Sequence, residues 1–171
     1  MTNLVSKKAD QIVIREAAVG DLAAVNWIYN FWVGQSTASF DTREMAEAER
    51  WNWFNEHERQ DLPVLVAEAK GQVVGWISLS YYHVRCRDTV EASLYIHPQH
   101  RSRGTGKKLM AELMKRAEQN KYHSVIVLIC TENLASLRLI RDFAFEKVGT
   151  IAEMGRKFDR WLDIAVFQKI I

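Results

Sequence analysis

Residues Tyr95 to Leu109 read YIHPQHRSRGTGKKL. A strand-like run stops at Pro98, a basic loop with two glycines follows, and a helical pattern begins after Gly106. Backbone N–H groups in a first helical turn have no partner inside the helix, and the helix dipole adds positive potential there. Such a turn is an anion site. Gly104 and Gly106 remove side chains where a phosphate would meet the backbone, and Arg101, Arg103, Lys107 and Lys108 supply charge. Two familiar phosphate loops fail on inspection. A Walker A loop would need glycine at Arg101 and a hydroxyl at Lys108, and a dinucleotide fingerprint would need glycine at Leu109. The pattern present is R-x-x-G-x-G, Arg101 to Gly106, between a strand and a helix.

Apolar periodicity predicts the remaining elements. QIVIRE (11–16) reads as a strand. Leu22, Val25, Ile28, Tyr29 and Trp32 form a helical stripe opened by Gly20-Asp21. GQSTASF (34–40) has loop composition. Asp41 with Glu44 resembles a capping box, followed by a second stripe of Met45, Ala48, Trp51 and Phe54. VLVAEA (64–69) and Val73 to Tyr82 form a hairpin around Lys70-Gly71. TVEASLYIH (89–97) is the strand entering the glycine loop. Leu109, Met110, Leu113, Met114 and Ala117 mark the helix leaving it. SVIVLIC (124–130) is apolar throughout, the mark of a strand buried on both faces. A helix over 131–143 and strands over 145–151 and 161–171 close the chain. The order β-α-α-β-β-β-α-β-α-β-β is a mixed α/β domain with a mostly antiparallel sheet.

Composition narrows the function classes. The 171 residues suit one domain, expected over 11–171 behind a loosely held lead-in at 1–10. Lys plus Arg is 23 against 21 for Asp plus Glu, a net charge of +2, too weak a basic excess for a dedicated nucleic-acid binder. The longest purely apolar run, Val125 to Cys130, is far short of the ~20 residues that span a bilayer. MTNLVSKKAD lacks the apolar core of a signal peptide, so no membrane role and a cytoplasmic location are expected. Cys86 and Cys130 could form one disulfide at most, and free thiols are the simpler reading. Neither has a base beside it in sequence, so neither is a convincing nucleophile. His97 and His100 stand among arginines without an acid or thiol, a poor metal site, so no metal is expected.

The Arg101–Gly106 loop resembles the acetyl-CoA loop of the GCN5-related N-acetyltransferases. IREAAVGDLAAVNWIYN resembles that family's first strand and helix, and ENLASLRLIRDFAFEKVGT its N-x-x-S helix and following strand. VEASLYIHPQHRSRGTG and GRKFDRWLDIAVFQ narrow the resemblance to the phosphinothricin and methionine sulfoximine/sulfone acetyltransferases. The likeness runs from about Ile12 to the C-terminus. It implies the acyl-CoA N-acyltransferase fold with helices on both faces of the sheet, acetyl-CoA as donor, a small amine as acceptor, and a homodimer. It also implies pyrophosphate on the amides of Ser102, Arg103, Gly104, Thr105, Gly106 and Lys107, beside Arg101. Leu94, Tyr95 and Ile96 would pair with the pantetheine arm, with Ile96 donating to the thioester oxygen. Asn133 and Ser136 match family positions on that arm, although a helix N-cap and first-turn residue explain them equally well.

Glu91 is the leading candidate for the catalytic base. Strand alternation puts Glu91, Ser93 and Tyr95 on one face. The competing reading is a surface glutamate. Arg85 and Arg87, just before it, are candidates for holding a substrate carboxylate, as Arg does in a fork, or are solvated loop charges. Phe40 and Trp76 are candidate pocket walls, or core. His57, between Glu56 and Glu58, reads as a solvated helix residue. Relatives carry a Tyr or His acid seven residues after the Asn, where this chain has Ile140; Tyr81, Tyr82 and His83 are alternatives. The reading is therefore direct attack of an α-amine on acetyl-CoA. A peptide or protein acceptor and a non-catalytic acyl-CoA sensor remain its rivals.

Overall fold

A computed structural model describes residues 11–171; the lead-in expected at 1–10 lies outside them. The observed elements are β1 (Val13–Glu16), α1 (Leu22–Gln35), α2 (Glu47–Arg59), β2 (Val64–Ala69), β3 (Gln72–His83), β4 (Cys86–Ile96), α3 (Thr105–Gln119), β5 (Ser124–Cys130), α4 (Leu134–Asp142), β6 (Glu146–Lys157) and β7 (Arg160–Ile170). Their order is the one that periodicity predicts. They build one seven-stranded sheet, β1-β2-β3-β4-β5-β7-β6. Every pairing is antiparallel except β4 with β5.

Two apolar layers cover the sheet. On one face Leu109, Met110, Leu113 and Ala117 of α3 and Ile140 of α4 pack on Ile77, Leu79, Val90 and Ala92. On the other, Val25, Ile28, Tyr29 and Val33 of α1 pack on Val66 and Trp76. β5 is buried along nearly its whole length, as its unbroken apolar run requires. The β6–β7 hairpin closes through Phe158 and Asp159, both with positive φ, the backbone of a two-residue type I′ turn.

Helix α2 departs from the expected pattern. It starts at Glu47, and the Glu49 carboxylate accepts from the Ala46 N–H at 2.8 Å. Asp41 lies six residues before that start and does not cap it; its carboxylate accepts from the Tyr29 hydroxyl at 2.5 Å. The later start rotates the helix. Arg50, Phe54 and His57 face inward, while Ala48 and Trp51 are exposed. His57 is therefore buried, correcting its reading as a solvated residue. Arg50 is buried against three aromatic faces, its guanidinium lying 4.9, 4.5 and 5.2 Å from the ring centres of Tyr29, Trp53 and Trp76. Burial brings its pKa down to about 10, so it stays charged at neutral pH.

Candidate active site

The sheet opens where β4 meets β5. These strands pair only at Thr89–Ser124, Val90–Val125 and Glu91–Ile126. Beyond Glu91, β4 stays with β3 through Ile96, while β5 stays with β7 through Cys130. A wedge forms between Ala92–Ile96 and Val127–Cys130. Glu91 stands at its vertex.

One edge of the wedge presents backbone that no neighbouring strand pairs. The His97 N–H donates to Val74 on β3, and the Ile96 carbonyl accepts from Trp32 Nε1 at 2.7 Å on the opposite side. Amide and carbonyl of one strand residue point to the same edge, and the next residue points to the other. The amides of Leu94 and Ile96 therefore face the wedge, whereas the Tyr95 backbone faces β3. The Tyr95 ring turns to the α1 side and stacks on Trp76 at 5.0 Å.

The wedge continues into a cleft of about 830 Å³ between the N-termini of α3 and α4. Ser102 and Gly104 have φ of 58° and 80°, so the loop curls left-handed into α3 along the cleft. Gly104 is the N-cap of α3, and Thr105, Gly106 and Lys107 form the first turn along the cleft. A side chain at Gly106 would touch Leu139 and Leu94, at 3.5 and 3.7 Å, closing the gap between helix and strand. Arg101 lines the cleft with its guanidinium 5.1 Å over Trp32, and Lys107 pairs with Asp142 at 2.6 Å. Arg103 is exposed and does not line the cleft. Asn133 and Ser136 line the far wall. Asn133 also caps α4, its Oδ1 accepting from the Ser136 N–H at 3.2 Å.

Glu91 pairs across β3 with Ser80, as Ser93 does with Ser78 and Tyr95 with Trp76. This row lies on the α1–α2 side. Glu91 is half-buried, and desolvation pushes its carboxyl above the ordinary range. Phe40 is on the same side, its ring against Gly155 of β6. Lys157, buried in the same hairpin, donates to the Ser39 carbonyl at 2.6 Å. The loop after α1 is thus clamped to the β6–β7 hairpin. A Cβ at Gly155 would sit 2.3 Å from Phe40 Cδ1. Gly155→Ala is expected to displace the ring, destabilise the protein by about 1–3 kcal/mol, and raise the acceptor KM several-fold more than it lowers kcat. Steady-state kinetics with a thermal melt checks this, and an unchanged KM would show that Phe40 takes no part in acceptor binding.

Other candidates are not gathered here. Arg85 is in the exposed β3–β4 turn. Arg87 lies 5.3 Å over the Tyr81 ring, which packs edge-on against Tyr122 on the α3 side. The β3–β4 register shifts between Tyr81 and His83, on the turn side of Glu91. Within one chain neither arginine is brought to Glu91. Trp76 is 2% exposed and belongs to the core. Ile140 is buried on the inner face of α4 and has no proton to give, and Tyr82 and His83 are exposed near the hairpin tip. Sequence reading missed the Trp32 bond to Ile96, since Trp32 there is only one member of an apolar stripe.

Residues 25–145 match the model of the Acetyltransferase (GNAT) family. The chain belongs to this family. This GNAT acetyltransferase is 37% identical to an L-methionine sulfoximine/L-methionine sulfone acetyltransferase of Pseudomonas paraeruginosa, over 91% of this chain and 92% of the relative. Its fold matches that of a GNAT superfamily phosphinothricin acetyltransferase from Sinorhizobium meliloti, solved with acetyl-CoA. The TM-score is 0.90 at 31% identity, covering 94% of this chain and 88% of that one. A ribosomal-protein-alanine N-acetyltransferase from Brucella melitensis matches with a TM-score of 0.91 at 38% identity, covering 93% and 99%. The wedge, the glycine loop and the two helix N-termini of this GNAT enzyme are thus set in a fold that these acetyltransferases share.

Proposed function

We propose that this enzyme transfers the acetyl group of acetyl-CoA to the α-amine of a small amino acid or amino-acid analogue. The observation that carries the reading is the wedge, with a carboxylate at its vertex, free strand amides along one edge and a helix N-terminus at its mouth. The pyrophosphate lies on the first-turn amides of α3 with Arg101 and Lys107 beside it, and Asn133 and Ser136 flank the pantetheine arm. The arm adds to the β4 edge as an extra strand would. Leu94 is three residues from Glu91, about 10 Å of strand, and Ile96 about 16 Å. The Leu94 amide, the nearer to the base, is the better placed donor to the thioester oxygen, and Ile96 then holds the arm.

Glu91 accepts the amine proton, directly or through a water. The free amine attacks the thioester carbon, and the C–S bond breaks to leave the CoA thiolate. The attacking nitrogen sheds a second proton as the amide forms; Ile140 has none to give, so that second proton goes to the thiolate while Glu91 returns the first to solvent. Arg85 and Arg87 serve as carboxylate ligands in this reading only if a second copy's hairpin supplies them. A homodimer fits that need, and exposed Val148, Ile151, Met154 and Trp161 on the β6–β7 edge offer apolar surface for it. The setting we infer is the cytoplasm.

Free-thiol release from acetyl-CoA tests the acceptor. The panel is methionine sulfone, methionine sulfoximine, phosphinothricin, ordinary amino acids and an alanine- or lysine-led peptide. Selective turnover of the first three is expected. Turnover of peptides alone would favour a protein acceptor, the reading that the likeness to the ribosomal-protein-alanine enzyme supports. No turnover, with acetyl-CoA still raising the melting temperature, would point to a sensor.

A further inference from the structure

His57 and Ser80 take no part in the chemistry above, yet they stand beside its base. His57 is 5% exposed, with Nδ1 2.7 Å from the Trp53 carbonyl oxygen and Nε2 3.0 Å from Ser80 Oγ. A carbonyl only accepts, so the neutral ring carries its hydrogen on Nδ1. Burial holds the imidazole below its ordinary pKa. Arg50 acts the same way, while Glu56 and the carbonyls of Trp53 and Leu79 oppose it. On its outer side His57 lines a second cleft with Glu16, Glu58, Asp61 and Arg116. With the ring neutral, Nε2 is an acceptor and takes the single hydrogen of the Ser80 hydroxyl. Ser80 is the register partner of Glu91. Side chains at such positions share a face, with Cβ atoms about 5 Å apart.

We propose that His57 and Ser80 are positioning residues for Glu91: the imidazole captures the Ser80 hydrogen, so Ser80 offers Glu91 an acceptor and not a donor. A carboxylic acid can bond to that acceptor, whereas a carboxylate meets only lone pairs. The pair thus steadies the proton on Glu91 after it leaves the amine, in the same direction as burial. Protonation of His57 would reverse the polarity, making Nε2 the donor and freeing the Ser80 hydrogen for Glu91. The inference rests on reading Glu91 as the base.

The test titrates the Glu91 carboxyl by ¹³C NMR in the free full-length protein, alongside the pH profile of kcat/KM with methionine sulfone. Loss of the resonance in Glu91→Gln assigns it. In Ser80→Ala, a deletion of one oxygen, both the NMR midpoint and the acid limb are expected to fall by about one pH unit. His57→Leu frees the Ser80 hydrogen and moves them the same way, and the double variant moves them no further than Ser80→Ala. A rise or no change in Ser80→Ala overturns the proposal, because Ser80 would then be donating to the carboxylate or not touching it. Full activity in Glu91→Gln would instead sink the base assignment, while the NMR titration still decides the polarity of the hydrogen bond.

Discussion

Glu91→Gln is expected to lower kcat/KM at least a hundredfold while leaving the protein as stable as before, or slightly more so. General-base assistance contributes roughly 10² to 10⁴ in rate. Glutamine keeps the shape, but its amide oxygen is far too weak a base to take the proton. The stability sign follows from the direction of the shift. Burial raises the folded-state pKa of Glu91 above its unfolded value of about 4.3. A carboxyl so shifted favours folding when protonated and costs stability once pH exceeds its folded value. At neutral pH the neutral isostere removes that cost. The pH profile has its own sign. In wild type kcat/KM is expected to climb with pH as Glu91 ionises, at a pH above the ordinary glutamate range, and in Glu91→Gln this limb is expected to disappear. An acceptor α-amine has a pKa of about 8. With Glu91 as the proposed base, that proton must move uphill, a step that the raised carboxyl pKa would ease. Wild-type activity across the pH range in the variant would remove Glu91 from the mechanism.

Trp76→Ala is expected to lose about 3–5 kcal/mol of stability. That is a large share of the 5–15 kcal/mol that holds a domain together, and it lowers the melting temperature by about 10 °C. Trp76 is 2% exposed and packs on Tyr95, Trp53 and Tyr29, with ring centres 5.0, 5.6 and 6.3 Å away. It also forms one of three aromatic faces around the Arg50 guanidinium. Its removal leaves a cavity beside a buried charge, and both effects act in the same direction. Below the melting transition the acceptor KM should change little. Thermal and urea unfolding with steady-state kinetics separate this from a role as pocket wall. An unchanged melting temperature with a large rise in acceptor KM would place Trp76 in the site instead.

The element order was legible because each segment carries its own period. The α3 stripe Leu109, Leu113 and Ala117 has one buried answer, and so does the unbroken apolar run of β5. Glycine at 104 and 106, between a strand and a helix start, marks an anion site by local chemistry alone, and the residues of that loop resemble one family's. Periodicity misplaces the buried face of helix α2, since Trp51 looks like core and Arg50 and His57 look like surface. The helix start is marked by the Glu49 carboxylate on the Ala46 N–H, and the face it buries is the one whose Arg50 lies among Tyr29, Trp53 and Trp76.

What the linear chain determined by itself is the strand, loop and helix content around residues 95–109, the alternation that puts Glu91 and Tyr95 on one face, and the absence of an acid at Ile140. Those are properties of neighbours in sequence, where spacing alone sets geometry. Tertiary structure alone decided where β4 leaves β5, and hence that Glu91 stands at the vertex and Leu94 and Ile96 face the opening. It alone set Arg87 on the face away from Glu91, and Ser80 between Glu91 and a buried His57. Strand register, one bulge and the rotation of a helix settle these placements, and each depends on contacts between residues far apart in the chain.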